Sequence, residues 1–149
     1  MIQRIQSVYL LAVAILMGTA SFTTLAQLTR DSVAYNFNSC GIYANNAQAI
    51  STLPVFLISL ATALLALISI FLYKKRSNQI KITVLNSILM IGFYIAFLIY
   101  YFIAKDKLNA ELSINIPLFL PLVSFILNLL ALRGIRKDEA LIKSLNRIR

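Results

Sequence analysis

Four apolar runs alternate with polar segments along this chain, over residues 7–25, 52–73, 82–103 and 113–132. Each is close to the twenty or so residues that a helix needs to cross the roughly 30 Å hydrocarbon core of a bilayer. The pattern predicts an all-α integral membrane protein, a single domain over residues 1–149 built as a four-helix up-and-down bundle. The first run follows a lone Arg4, and Gly18-Thr19-Ala20 offers small residues at the spacing of a signal-peptide cleavage site. Apolar character continues through Phe22 and Leu25, so this run is expected to stay as the first span.

The connections carry their own patterns. Between the first two runs, Val33, Tyr35 and Phe37 alternate with Ala34, Asn36 and Asn38, and Cys40-Gly41 precedes Ile42-Tyr43, the pattern of a small β-hairpin in an outer loop. A lone two-stranded hairpin is marginal in water, so it would have to rest on helix ends or on a partner. Asn45-Asn46-Ala47-Gln48 reads as loop or the start of a short helix. Pro54 falls in the first turn of the second span, where a missing N–H costs little. The fourth run carries Pro117 and Pro121; Pro121 cannot donate to the Pro117 carbonyl, so a bend or locally open backbone is expected there. In hydrocarbon the freed carbonyl has to find another donor.

Charge gives the runs a direction. The chain is 60% hydrophobic and 13% charged with a formal charge of +9, a balance far from that of an ordinary soluble domain. Arg4, the loop from Lys74 to Lys81 and everything from Arg133 onward fall on one side of the spans, with eleven cations against two carboxylates; the other side has three of each. Lysine and arginine accumulate in cytoplasmic loops, so both termini and the basic loop are expected in the cytoplasm. Beyond the fourth span, residues 133–149 predict a separate C-terminal amphipathic helix capped by Asp138. Leu141, Ile142, Leu145 and Ile148, with Lys143 and Arg147, are its candidate residues for docking a partner or anionic lipid. Nucleic acid is not an expected partner, since no aromatic interleaving or recognised motif accompanies the cations.

Candidate chemistry is sparse. With no histidine and one cysteine, the chain cannot build a histidine-ligated haem, a histidine base or a thiol–histidine metal cluster of its own, and no cofactor is expected. Cys40 has no partner in the chain and reads as an incidental free thiol. No ionisable residue interrupts the interior of a span, as proton relays and coupled carriers usually require. What remains is a set of neutral polar residues in one leaflet, Gln6 and Ser7 at the start of the first span, Ser69 late in the second, Asn86 and Ser87 early in the third, Ser124 and Asn128 in the fourth, among which Ser69, Asn86, Ser124 and Asn128 stand out. They are the expected helix–helix polar contacts, with Asn86 and Asn128 bonding across the bundle.

The opening MIQRIQSVYLL and the ending RGIRKDEALIKSLNRIR resemble the two ends of a family of uncharacterised integral membrane proteins of Bacteroidota, a domain of unknown function with four predicted spans. The resemblance runs the whole length but is specific at the two basic ends. It implies a Gram-negative inner membrane, so that the neutral side faces the periplasm, and it brings no activity. The expected role is therefore an accessory or scaffold subunit of a larger inner-membrane assembly, not an enzyme, in contact with membrane lipids and with a membrane-protein partner or further copies of itself. The alternative is a small carrier or channel for a neutral or lipidic solute, suggested by the two prolines of the fourth span. Because Cys40 lies in the neutral first loop, a maleimide that cannot cross the bilayer should label it in spheroplasts; labelling only after lysis would contradict the orientation.

Overall fold

A computed structural model describes residues 2–30, 33–44, 47–108 and 111–146. Four helices dominate it: α1 (Ile2–Phe22), α2 (Leu53–Phe71), α3 (Arg76–Leu108) and α4 (Leu120–Asn146). Each includes a stretch long and apolar enough to cross a membrane. They form a ring in which α1 packs on α2 and α4, and α3 on the same two. A 3-10 turn over Leu72–Lys74 joins α2 directly to α3.

Helix α2 is inverted relative to a helix of a water-soluble bundle. The buried residues of α2 are Val55, Ser59, Thr62, Ala63, Ala66 and Ser69, whereas Leu57, Leu64, Ile68 and Phe71 are exposed. On α3, Ile88, Ile91, Ile95 and Ile99 face outward, while Thr83, Asn86 and Ser87 are buried along with Met90, Phe93 and Phe97. In an apolar solvent nothing drives large aliphatic groups inward, and close approach of small side chains together with interhelical hydrogen bonds holds helices together. The arrangement is compatible with a multi-pass membrane protein.

The fold is not all-α. Strands β1 (Thr24–Arg30), β2 (Val33–Asn38), β3 (Gly41–Ala44), β4 (Ala47–Ser51) and β5 (Glu111–Ile114) form one antiparallel sheet in the order β4-β3-β2-β1-β5. Strands β2 and β3 occupy the segments that predicted a small hairpin, but the hairpin is the middle of a five-stranded sheet. Ala47-Gln48 belongs to β4 and not to a loop or helix; Asn45 and Asn46 lie outside the described residues. Two long-range conditions create the extra strands. β1 begins two residues after α1 ends, with Leu25 still in it, so that it reads as the tail of the apolar span. β5 comes from the connection between α3 and α4 and pairs with β1 through Ala26↔Ile114, Gln27↔Ser113 and Leu28↔Leu112.

One face of the sheet is apolar. Ala26 opposite Phe37, Phe37 opposite Ile42, and Ile42 opposite Ile50 share it, because directly paired residues point the same way. It closes on α3, where Phe93, Phe97 and Ala104 are buried in the same cluster and the Phe37 and Phe97 ring centroids lie 4.9 Å apart. α3 has 33 residues and so runs for about 50 Å, which carries its last turns past the predicted limit at Ile103 and alongside the sheet. The turn between β2 and β3 is bolted to two helices. Ser39 Oγ donates to the Ala20 carbonyl of α1 at 3.0 Å, and the Thr52 hydroxyl, just before α2, lies 3.0 and 2.9 Å from the carbonyls of Asn38 and Ser39. Gly41 fits closely in this corner: a Cβ there would come within 3.2 Å of the Ile50 carbonyl and would push the Gln48 side-chain amide aside.

Two further expectations change. The fourth helix does not begin near Ser113, because that segment is β5 followed by a 3-10 turn at Ile116–Phe119. The turn closes the proline break locally, since Leu120 N–H donates to the Pro117 carbonyl, and the Tyr94 hydroxyl donates to the Leu118 carbonyl at 2.9 Å. The basic tail is not a separate amphipathic helix either; α4 continues unbroken through Asp138 to Asn146. Asp138 is not a cap but a buried residue inside the helix, and its carboxylate is held by side chains of other helices.

Candidate functional site

The interior of the bundle carries a polar seam that starts at the end remote from the sheet. At its mouth, Gln6 Nε2 donates to Asp138 Oδ2 at 2.9 Å, and Arg76 Nη1 lies 3.4 Å from the same oxygen. One carboxylate thus ties together the first turns of α1 and α3 and the last third of α4. Gly134 admits this contact, because a Cβ there would come within 3.0–3.3 Å of the Gln6 side chain. Around the clamp, Lys75, Lys81, Arg133, Arg136 and Lys137 are exposed, a cationic rim over a buried acid.

Deeper in, Gln79 Nε2 donates to the Ser69 carbonyl at 2.9 Å, and Ser69 Oγ is 3.0 Å from Thr83 Oγ1. Thr83 Oγ1 donates to the Gln79 carbonyl at 2.8 Å, so the Ser69 hydroxyl is left as the donor between the two. On the α4 side, Asn128 Nδ2 spends both protons, one on the Thr83 carbonyl at 2.9 Å and one on Ser87 Oγ at 2.8 Å. Asn86 Nδ2 reaches Asn128 Oδ1 at 3.4 Å. The expected contact residues thus fare differently. Asn86 and Asn128 meet, Ser69 joins through Thr83, and Ser124 donates to the Leu120 carbonyl of its own helix. Sequence reading missed Gln79, Thr83 and the Gln6–Asp138–Arg76 clamp. The available signal was Asp138 itself, one of two carboxylates in a strongly basic region, a natural partner for a cation at the same depth.

Of the docking residues expected on the tail, Leu141 and Ile142 are exposed on the last turns of α4. The side chains of Lys143 and Leu145 are not described, and Arg147 and Ile148 lie outside the described residues. Among the described residues no three of His, Cys, Asp or Glu come together as a metal site would need. Towards the sheet, α3 and α4 part to leave two adjoining apolar cavities of about 240 and 200 Å³ that share Tyr94 and Leu122. Ile114, Leu118 and Phe119 line the one nearer the sheet, and Met90, Ile91 and Phe125 the other.

Over residues 2–148 the chain matches the family described as Domain of unknown function (DUF4293). The chain belongs to the DUF4293 family. No curated protein and no solved structure matches it. The DUF4293 description carries no activity or ligand, so the chemistry of this member rests on its own groups: an acid clamped among cations, a neutral amide–hydroxyl seam and an apolar groove.

The clamp has a measurable cost. Asp138→Ala should lower stability in detergent by roughly 1–3 kcal/mol, since it leaves Gln6 without its acceptor and Arg76 without its counter-ion. Asp138→Asn should lose less, because it keeps an acceptor for Gln6. Equal stability of wild type and Asp138→Ala in thermal unfolding would show that the carboxylate holds nothing together.

Proposed function

We propose that this chain is an accessory or scaffold subunit of a larger assembly in a bacterial inner membrane, with no catalysis of its own. In this reading both termini and the cationic rim are cytoplasmic, and the sheet stands in the periplasm of a Bacteroidota cell. The observation that carries the proposal is the outward face of the sheet. Through the pairs Ser113↔Gln27, Gln27↔Asn36, Asn36↔Tyr43 and Tyr43↔Gln48, one row of neutral polar side chains crosses all five strands. The opposite face is locked onto α3, so the row is presented by a rigid body and not by a loose loop. Neutral hydrogen-bonding groups on a preorganised surface suit recognition of a protein partner, because little ordering entropy is lost on binding. The exposed Leu141 and Ile142 at the other end offer a second, cytoplasmic contact.

The apolar groove between α3 and α4 favours a second reading, in which the chain is a small carrier for a lipidic solute. The two readings separate on purification in mild detergent. As a subunit, the protein should elute in a complex of fixed stoichiometry with a membrane-protein partner or with further copies of itself. Asn36→Lys or Gln48→Lys should release the partner from the sheet side while thermal stability stays level. A wild-type protein that runs as a lone monomer, and leaves no partner after chemical cross-linking in membranes, would overturn the subunit reading.

A further inference from the structure

The groove between α3 and α4 opens onto whatever surrounds the bundle, because Ile91, Ile114, Phe119 and Leu122 on its walls are exposed. It offers no hydrogen bond. Its surface is apolar, and the one hydroxyl beside it, that of Tyr94, already gives its proton to the Leu118 carbonyl. A water or a polar solute entering would find no partner, and cavities of this character stay dry and take hydrocarbon instead. The side chains along such a groove also lose dispersion contacts on one side unless a hydrocarbon lies against them.

Depth and size narrow the occupant. Met90, Ile91 and Tyr94 stand near the middle of the uncharged stretch of α3 between Lys81 and Lys105, so the groove runs from about the midplane of a bilayer towards the sheet. Lys105 is exposed and lies on the Tyr94 face of the helix, three turns on and about 16 Å further along. That is about half of the roughly 30 Å hydrocarbon core, the depth of one leaflet. At about 25 Å³ per carbon, the proportion at which a 150 Å³ cavity takes benzene, cavities of about 240 and 200 Å³ hold roughly eight to ten carbons each. A helix, about 10–12 Å across with its side chains, would need about the volume of both for a single turn.

We propose that this groove is a binding site for one acyl chain of a phospholipid from the leaflet on the sheet side, held against Tyr94 and Leu122 with its phosphate at the level of Lys105. The lipid is a resident filling between α3 and α4 and not a transported solute. The inference rests on the four helices crossing a bilayer and is independent of any partner bound to the sheet.

The chain has no tryptophan, so a single one introduced at a chosen place reports on that place alone. Phe119→Trp puts an indole on the groove wall, and Leu64→Trp puts one on the exposed face of α2. In vesicles of phosphatidylcholine brominated on its chains, both should be quenched. After exchange into excess detergent without bromine, Phe119→Trp should stay quenched while Leu64→Trp recovers. Native mass spectrometry of the wild type taken from the same vesicles should show one phospholipid per chain, and Leu122→Trp, which fills the wall common to both cavities, should lose it. Recovery of Phe119→Trp together with Leu64→Trp, a wild type free of phospholipid, or retention of the lipid by Leu122→Trp would overturn the proposal. So would quenching of Leu64→Trp alone in vesicles, the result expected if a partner covers the groove. Quenching at neither place would overturn the membrane reading itself, and the proposal with it. The wild-type mass spectrum decides the matter even where the variants do not accumulate.

Discussion

The pairing of β1 with β5 is the constraint on which the rest of the structure depends. These strands belong to different connections, one following α1 and the other following α3, and their ladder from Ala26↔Ile114 to Thr29↔Glu111 makes the two connections one body. Because both must then lie at the same end of the bundle, the ladder fixes the alternation of the four helices more directly than helix length does. It also supplies the third and later strands that a marginal hairpin needs. With β5 in place, the apolar face of Ala26, Phe37 and Ile42 is wide enough to cover the last turns of α3, and the turn at Ser39 can be fastened to α1 and to the start of α2.

The two ends of the molecule are held by different physics. At the sheet end the fastening is backbone pairing plus aromatic and aliphatic burial, which tolerates water on the outer face. At the other end it is a carboxylate shared by Gln6 and Arg76, followed inward by neutral hydrogen bonds between α2, α3 and α4. Between them the packing is mostly of small residues and methionine, Ala14, Ala63, Ala66, Met17 and Met90, which brings helix axes close without a hydrophobic driving force. Most large aliphatic groups of the helices are left for the outside, with Leu10, Leu132 and Ile135 as buried exceptions. That division explains how a bundle with so polar an interior holds together: each hydroxyl or amide inside has fewer competitors for its partner than it would have in water.

Much of this was legible in the chain, for stated reasons. Four long apolar runs announce four long helices, and the alternation at Val33, Tyr35 and Phe37 announces a strand, because both signals are local. The sheet as a whole was not legible. Leu25, Ala26 and Leu28 continue an apolar run and carry no sign that the period changes from 3.6 to 2 after Phe22. Ala47-Gln48-Ala49 has little β-propensity, and Glu111 to Ile114 becomes a strand only because β1 lies beside it. The site divides in the same way. Asn86 and Asn128 stand out as amides in apolar runs and do meet, whereas Ser124 satisfies itself on its own helix. Asp138 reads as a cap when the tail is viewed alone, and its true partners are more than sixty residues away along the chain.

The central claim, that two separate connections form one sheet at one end of the bundle, is tested most directly by cross-linking β1 to β5. Gln27 and Ser113 are directly paired on the outward face, so in a Cys40→Ser background the double variant Gln27→Cys with Ser113→Cys should close an intramolecular disulfide under mild oxidation. Both thiols should disappear together in a monomer, with either single variant retaining its thiol. Free thiols in the double variant after oxidation, or a disulfide formed only between molecules, would contradict the pairing and with it the account of how the bundle is held.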